Sequence, residues 1–112
     1  MSQQKLRVIQ DYEKLSSDLQ EQIKLVYPNG YRDHLISFTN AKGERVSALP
    51  FETFEKIYMV RMTAAKAVLL VEKDDDYDDD GVLKEDVREQ YEDDHADADY
   101  LGENDNYEDD MD

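Results

Sequence analysis

Cysteine and tryptophan are absent from this chain of 112 residues, and there are four glycines and two prolines. Without cysteine there is no disulfide framework and no thiolate metal site. No apolar run approaches the roughly 18 residues that suggest a membrane span. The opening MSQQKLRVIQ lacks the apolar core of a secretory signal. The glycines Gly30, Gly43, Gly81 and Gly102 are scattered, so no phosphate-cradling loop is present. No serine stands in a Gly-x-Ser-x-Gly elbow, which with the missing cysteine removes the common nucleophilic triads. The length allows one small domain, or one small domain and a tail, and excludes a multidomain enzyme. These absences imply a cytoplasmic protein that is not an enzyme, holds no cofactor and does not contact a membrane.

Basic residues are scarce in one part of the chain. Residues 1–73 carry 11 Lys/Arg against 9 Asp/Glu, a net of +2, whereas residues 74–112 carry 2 against 20, a net of −18. The boundary is abrupt, since Val71-Glu72-Lys73 is followed at once by Asp74-Asp75-Asp76. A segment so charged and so poor in aliphatic residues is expected to stay extended, because it cannot bury enough apolar surface to offset chain entropy. The division is therefore a small α+β domain over 1–73 and an acidic, largely disordered tail over 74–112. A head of about 70 residues lies near the lower limit for folding alone without disulfides or metal, so the oligomeric state is open.

Within the head, Leu6, Val8 and Ile9 form a short apolar patch with strand character. Ser16 or Ser17 can cap a helix whose Leu15, Leu19, Ile23 and Val26 form one apolar stripe, and Gln20 falls where a capping box would place it. Pro28-Asn29-Gly30 ends that helix. Leu35–Thr39 and Glu44–Leu49 read as a hairpin around Asn40-Ala41-Lys42-Gly43, with Val46 and Ala48 on one face. Pro50 is expected to stop the second strand or place it at an edge. A third apolar strand follows over Ile57–Met62, and Thr63 can cap a closing helix from Ala64 to about Lys73. The expected product is an antiparallel sheet of three to four strands with one or two helices on a face, in the order βαβββα.

The run Val8-Ile9-x-Asp11-Tyr12-x-Lys14-Leu15, then Tyr27-Pro28-x-Gly30-Tyr31, Phe38-x-Asn40-Ala41-Lys42-Gly43-Glu44, Glu52-Thr53 and Ile57-Tyr58-Met59-Val60 resembles a family of small, acidic-tailed bacterial proteins of the Bacteroidetes type. The resemblance covers roughly residues 8–75. It implies the same head-and-tail division and no established activity. A primase label borne by some members finds no match here: there are no zinc-ligand cysteines and no acidic pair in a strand context suited to magnesium. The acidic-tail layout also resembles, as an architecture, the delta subunit of some bacterial RNA polymerases.

The two histidines, His34 and His95, belong to different segments, and a joint metal site would require the tail to fold back. Asp76, Asp78 and Asp80 followed by Gly81 match the first half of a calcium loop, with Leu83 at the apolar eighth position. The twelfth position, where a bidentate glutamate belongs, is Val87, so composition accounts for the match better than a metal site does. Leu83, Val87 and Tyr91, spaced four apart, and Tyr100 and Tyr107 farther on, interrupt the carboxylates. Acidic residues interleaved with such anchors suit a basic, partly apolar protein surface.

The expectation is a binding or regulatory protein whose acidic tail contacts a basic protein surface in transcription, replication or ribosome-related complexes. The alternative is a nucleic-acid-binding head, using cations such as Lys5, Arg7, Arg32, Lys42, Arg45, Lys56, Arg61 and Lys66, that its own tail inhibits.

Overall fold

The computed structural model describes residues 5–97. Strand β1 (Leu6–Asp11) leads through a 3-10 turn at Tyr12–Lys14 into helix α1 (Ser17–Val26). A second 3-10 turn at Arg32–His34 precedes β2 (Ile36–Thr39), β3 (Arg45–Glu52) and β4 (Lys56–Arg61). Helices α2 (Ala64–Glu72) and α3 (Glu85–Asp94) close the described chain. The result is an α+β fold with the strands in the order β1-β4-β3-β2.

The local signals act as their chemistry requires. The Ser16 hydroxyl accepts from the Leu19 amide at 3.2 Å and the Thr63 hydroxyl from Lys66 at 3.1 Å, each satisfying an otherwise orphaned helix donor. Gln20 completes no capping box. Its amide instead donates to the carbonyls of Tyr12 and Leu15 and fastens the 3-10 turn to α1. The Asn40 side chain accepts from the amides of Lys42 and Glu44, and Gly43 takes a φ of +83°, so the hairpin turns where expected.

The sheet is mixed, not purely antiparallel. β2–β3 and β3–β4 are antiparallel, but β1 lies parallel to β4, with Leu6 opposite Lys56 and Asp11 opposite Arg61. The α1 segment and the hairpin separate β1 from β4, so β1 returns to the sheet beside the last strand in the same direction. Pro50 does not end β3, which runs on to Glu52. The reason is local. β2 ends with Ile36 opposite Ala48, so beyond that point β3 is an edge on its β2 side and proline's missing donor interrupts no ladder. The Pro50 carbonyl on this open side accepts from the Tyr27 hydroxyl at 2.5 Å.

The two faces of the sheet differ. Leu49, Phe51 and Val60 enter one core with Ile23 and Val26 of α1 and Ala67 of α2. Ile23, Leu49, Phe51 and Val60 are at most 2% exposed. Each such side chain contributes roughly 1.5–3 kcal/mol through burial. By strand alternation the opposite face carries Ile9 from β1, Ile57 and Met59 from β4, and Ala48 and Pro50 from β3. Val46 of β3, with Ile36 and Phe38 of β2, extends it to the far edge. None of these residues belongs to the helix-covered core cluster. Two ion pairs on the same face bracket it, Lys5–Glu52 at one end and Asp11–Arg61 at the other.

The edge of the fold is not at residue 73. Residues 74–97, expected to be extended, return to the head and end in α3, which packs on α1. Tyr77 and Leu83 pair in an isolated antiparallel bridge and are 5% and 4% exposed. The Leu83 amide donates to the Pro28 carbonyl at 2.8 Å, and the Tyr77 hydroxyl donates to the Tyr27 carbonyl at 3.0 Å. Burial of Tyr77 and Leu83 supplies the apolar surface that composition alone hides. Residues 98–112, the remainder of the acidic stretch, lie outside the described residues.

Leu83→Ala is expected to lower the unfolding free energy by about 2–4 kcal/mol, the range for emptying a buried leucine site. Urea titration followed by circular dichroism measures it, and an unchanged midpoint is the result expected of an extended tail.

Candidate acidic docking face

The segment between α2 and α3 holds carboxylates in two ways. Asp74 and Asp76 turn inward, and Lys24 of α1 lies between them with its ammonium 2.8 Å from a carboxylate oxygen of each. Lys24 is 8% exposed, a rare position for a lysine without a partner. The Tyr91 hydroxyl of α3 donates to Asp76 at 2.7 Å, and the Tyr91 ring lies 6.0 Å from the Lys24 ammonium. One cation thereby ties α1 to the acidic loop and, through Tyr91, to α3.

Electrostatics of this clamp follow from burial and pairing. Burial disfavours the Lys24 ammonium, but hydrogen bonds to Asp74 and Asp76 outweigh it and hold its pKa above the ordinary 10.5. Burial likewise disfavours the Asp76 carboxylate, and the hydrogen bonds from Lys24 and Tyr91 outweigh it, leaving the pKa below the ordinary 3.8. Burial and the neighbouring Asp76 push the Tyr91 hydroxyl up, so it remains a donor.

The other carboxylates face water. Asp75, Asp78, Asp79 and Asp80 in the loop are exposed, as are Glu85, Asp86, Glu89, Glu92, Asp93 and Asp94 on α3 and Asp97 after it. Asp78 shapes the loop: its side chain accepts from the amides of Asp80 at 2.8 Å and Val82 at 3.0 Å. Gly81 completes the turn at φ +79°, where a side chain would be strained. A cleft of about 420 Å³ opens beside this loop. Ala67, Tyr31 and Tyr77 form its buried floor, and Asp33, Asp78 and Asp80 stand exposed along its lining.

Sequence-predicted site residues separate on this scaffold. Of the calcium-loop-like run Asp76, Asp78 and Asp80, Asp76 is engaged by Lys24 and Tyr91, and Asp78 by its own loop. Leu83, expected to anchor a partner, is an internal anchor, and Val87 and Tyr91 are half-buried on α3. Tyr100 and Tyr107 lie outside the described residues. The chain does fold back, but His95 and His34 part company. His95 meets Glu21 of α1 at 2.7 Å, while the His34 ring lies tilted against Tyr27 with 4.9 Å between ring centres. Asp18, Glu21 and His95 are the one group of three among the described residues whose potential metal-ligand atoms converge, all within 4.8 Å. Lys24 is the central residue that sequence reasoning missed. It interrupts a good amphipathic helix as any solvated lysine would, and nothing local marks it as the partner of aspartates 50 positions away.

Comparison with protein families, curated proteins and solved structures finds no match for this chain. No helix among the described residues is long and apolar enough to cross a membrane.

Replacing Lys24 by methionine leaves two carboxylates facing an apolar side chain. The expected loss lies between the value for exposed pairs, under about 1 kcal/mol, and the 3–5 kcal/mol typical of breaking a buried pair. The lowered pKa of Asp76 means that its contribution is complete above the ordinary carboxylate range and disappears as pH falls below it. The raised pKa of Lys24 means that its contribution is complete below about pH 10 and disappears only as pH rises through the higher folded value. Urea midpoints measured from pH 7 to pH 3 should therefore fall more steeply for the wild type than for Lys24→Met.

Proposed function

We propose that this protein is a non-enzymatic binding or regulatory protein of the cytoplasm that presents an ordered acidic face to a basic protein surface. The supporting observation is the outward display of carboxylates on α3 and its preceding loop, while the inward pair is neutralised by Lys24. Helix α3 carries six acidic residues and one arginine in ten positions. At a rise of about 1.5 Å per residue this is a net charge roughly every 3 Å along the axis, close to the 3.4 Å phosphate spacing of one DNA strand. A face of this density suits a surface that otherwise holds nucleic acid, which makes components of transcription, replication or the ribosome the partner class. Order adds to the fit, because a face already folded has less conformational entropy to lose on docking than a free polyanion. The cleft beside Asp78 and Asp80, apolar below and acidic at its mouth, suits a partner's lysine or arginine side chain.

The alternative of a self-inhibited nucleic-acid-binding head has less support. Of the cations it would use, Lys5, Arg61 and Lys66 each hold a carboxylate of the described chain.

The test compares affinity purification from native lysate using the full chain and a variant with Glu85→Gln, Asp86→Asn, Glu89→Gln, Glu92→Gln and Asp93→Asn. Basic proteins are expected with the first bait and lost with the second, and competition by duplex DNA should release them. Capture unaffected by neutralising α3 contradicts the proposal. A gel shift in which the neutralised variant itself binds DNA supports the alternative.

A further inference from the structure

We infer that Asp18 and Glu21 of α1, with His95 at the end of α3, bind one divalent transition-metal ion, and that Zn²⁺ is the ion these donors fit. Asp18 and Glu21 are three positions apart and share a face of α1. Helix α3 packs on α1 and brings His95 to the same place. A carboxylate oxygen from each acid and an imidazole nitrogen all lie within 4.8 Å of one another.

The spacing is close to that of a ligand set. Zinc holds imidazole nitrogen and carboxylate oxygen at about 2.0–2.2 Å, so neighbouring ligands on one ion stand about 3.0–3.4 Å apart. The His95 nitrogen and the Glu21 oxygen, at 2.7 Å, need to part by only a few tenths of an ångström. The ion then takes the place of the hydrogen they share, which leaves to water as a proton. Asp18 is exposed, so its side chain can turn inward to close the remaining gap. The imidazole is already held. Its side chain is 9% exposed, and its ring meets the Tyr91 ring edge-on at 6.4 Å, while Asp76 holds the Tyr91 hydroxyl. Donors fixed on two packed helices need little ordering when an ion arrives.

Charge and donor type select the occupant. Among the described residues neither Asp18 nor Glu21 is paired with a lysine or arginine, whereas Asp74 and Asp76 share Lys24. The two converging carboxylates therefore lack the cation that the inward pair of the loop has, and a dication would supply it. Asp93, Asp94 and Asp97, exposed on either side of His95, add to the local attraction for cations. The nitrogen then decides the class. Calcium and magnesium take oxygen ligands, whereas imidazole suits zinc and its neighbours. This separates the group from the all-oxygen carboxylates of the acidic loop. A bound ion would fasten the end of α3 to α1, and three protein ligands leave a position for water.

Zinc titration of the full chain, followed by calorimetry and by NMR of the two histidine rings, tests this. One saturable site is expected, and it should survive an excess of Mg²⁺. The His95 ring shifts should be complete at one equivalent while those of His34 stay in place. Asp18→Asn and His95→Gln should keep the circular dichroism spectrum and weaken binding by about tenfold or more, since losing even a ligand's hydrogen-bond partner costs about that much. With free zinc at 100 times its Kd, amide exchange that requires α3 to leave α1 should slow about 100-fold. Absence of zinc uptake contradicts the inference and leaves His95 as a hydrogen-bond partner of Glu21 only. So does uptake in several weak steps that Mg²⁺ displaces, as condensation on a polyanion would give. Tight binding that both variants retain, or that leaves the His95 ring unmoved, contradicts it as well. Zinc binding is read without any basic partner, so its failure leaves the acidic-face reading to its own test.

Discussion

A single buried ammonium joins the acidic segment to the head. Lys24 stands where α1 meets the acidic loop, and Asp74, Asp76 and, through Asp76, Tyr91 converge on it. A lysine so placed needs counter-charge, since an isolated buried ammonium is strongly disfavoured. The aspartates need a cation as much, because they begin a run of like charges. Each requirement satisfies the other. The contact then brings Tyr77 and Leu83 against the head, where burial adds an apolar contribution that the ion pairs alone would not supply.

The consequence is a molecule with two dissimilar sides. Helices and acidic loop form one layer, whose exterior is dense in carboxylates held at fixed positions. The sheet's reverse is apolar, nearly neutral and bounded by ion pairs. Opposite physics governs the two: contacts made by the acidic layer weaken as salt screens them, whereas contacts made by the apolar face do not.

Local chemistry made most of the head legible. The stripe of Leu15, Leu19, Ile23 and Val26, the serine and threonine caps, and the Asn40–Gly43 turn each depend on neighbours within a few residues. What was hidden depends on distant partners. The direction of β1 is set by which strand it joins, and Pro50 is tolerated because β2 stops short of it. In the acidic segment, apolar residues among carboxylates were legible as anchors, but the same pattern serves an internal surface or a foreign one. Leu83 took the internal surface, and only the geometry of Pro28, Tyr27 and Lys24 distinguishes the two. Net charge misled for a related reason: it counts carboxylates without recording that Asp74 and Asp76 point inward to one cation while Asp75, Asp78, Asp79 and Asp80 beside them are exposed.

The central claim is that residues 74–97 fold as part of the head. Amide hydrogen exchange of the full chain, resolved by residue, tests it most directly. The account predicts that the amides of Tyr77, Leu83 and Arg88 are protected, since they donate to Asp74, Pro28 and Lys84 carbonyls within the packed structure. Exchange at the rates of an unfolded chain throughout 74–97, beside a protected sheet, would contradict it.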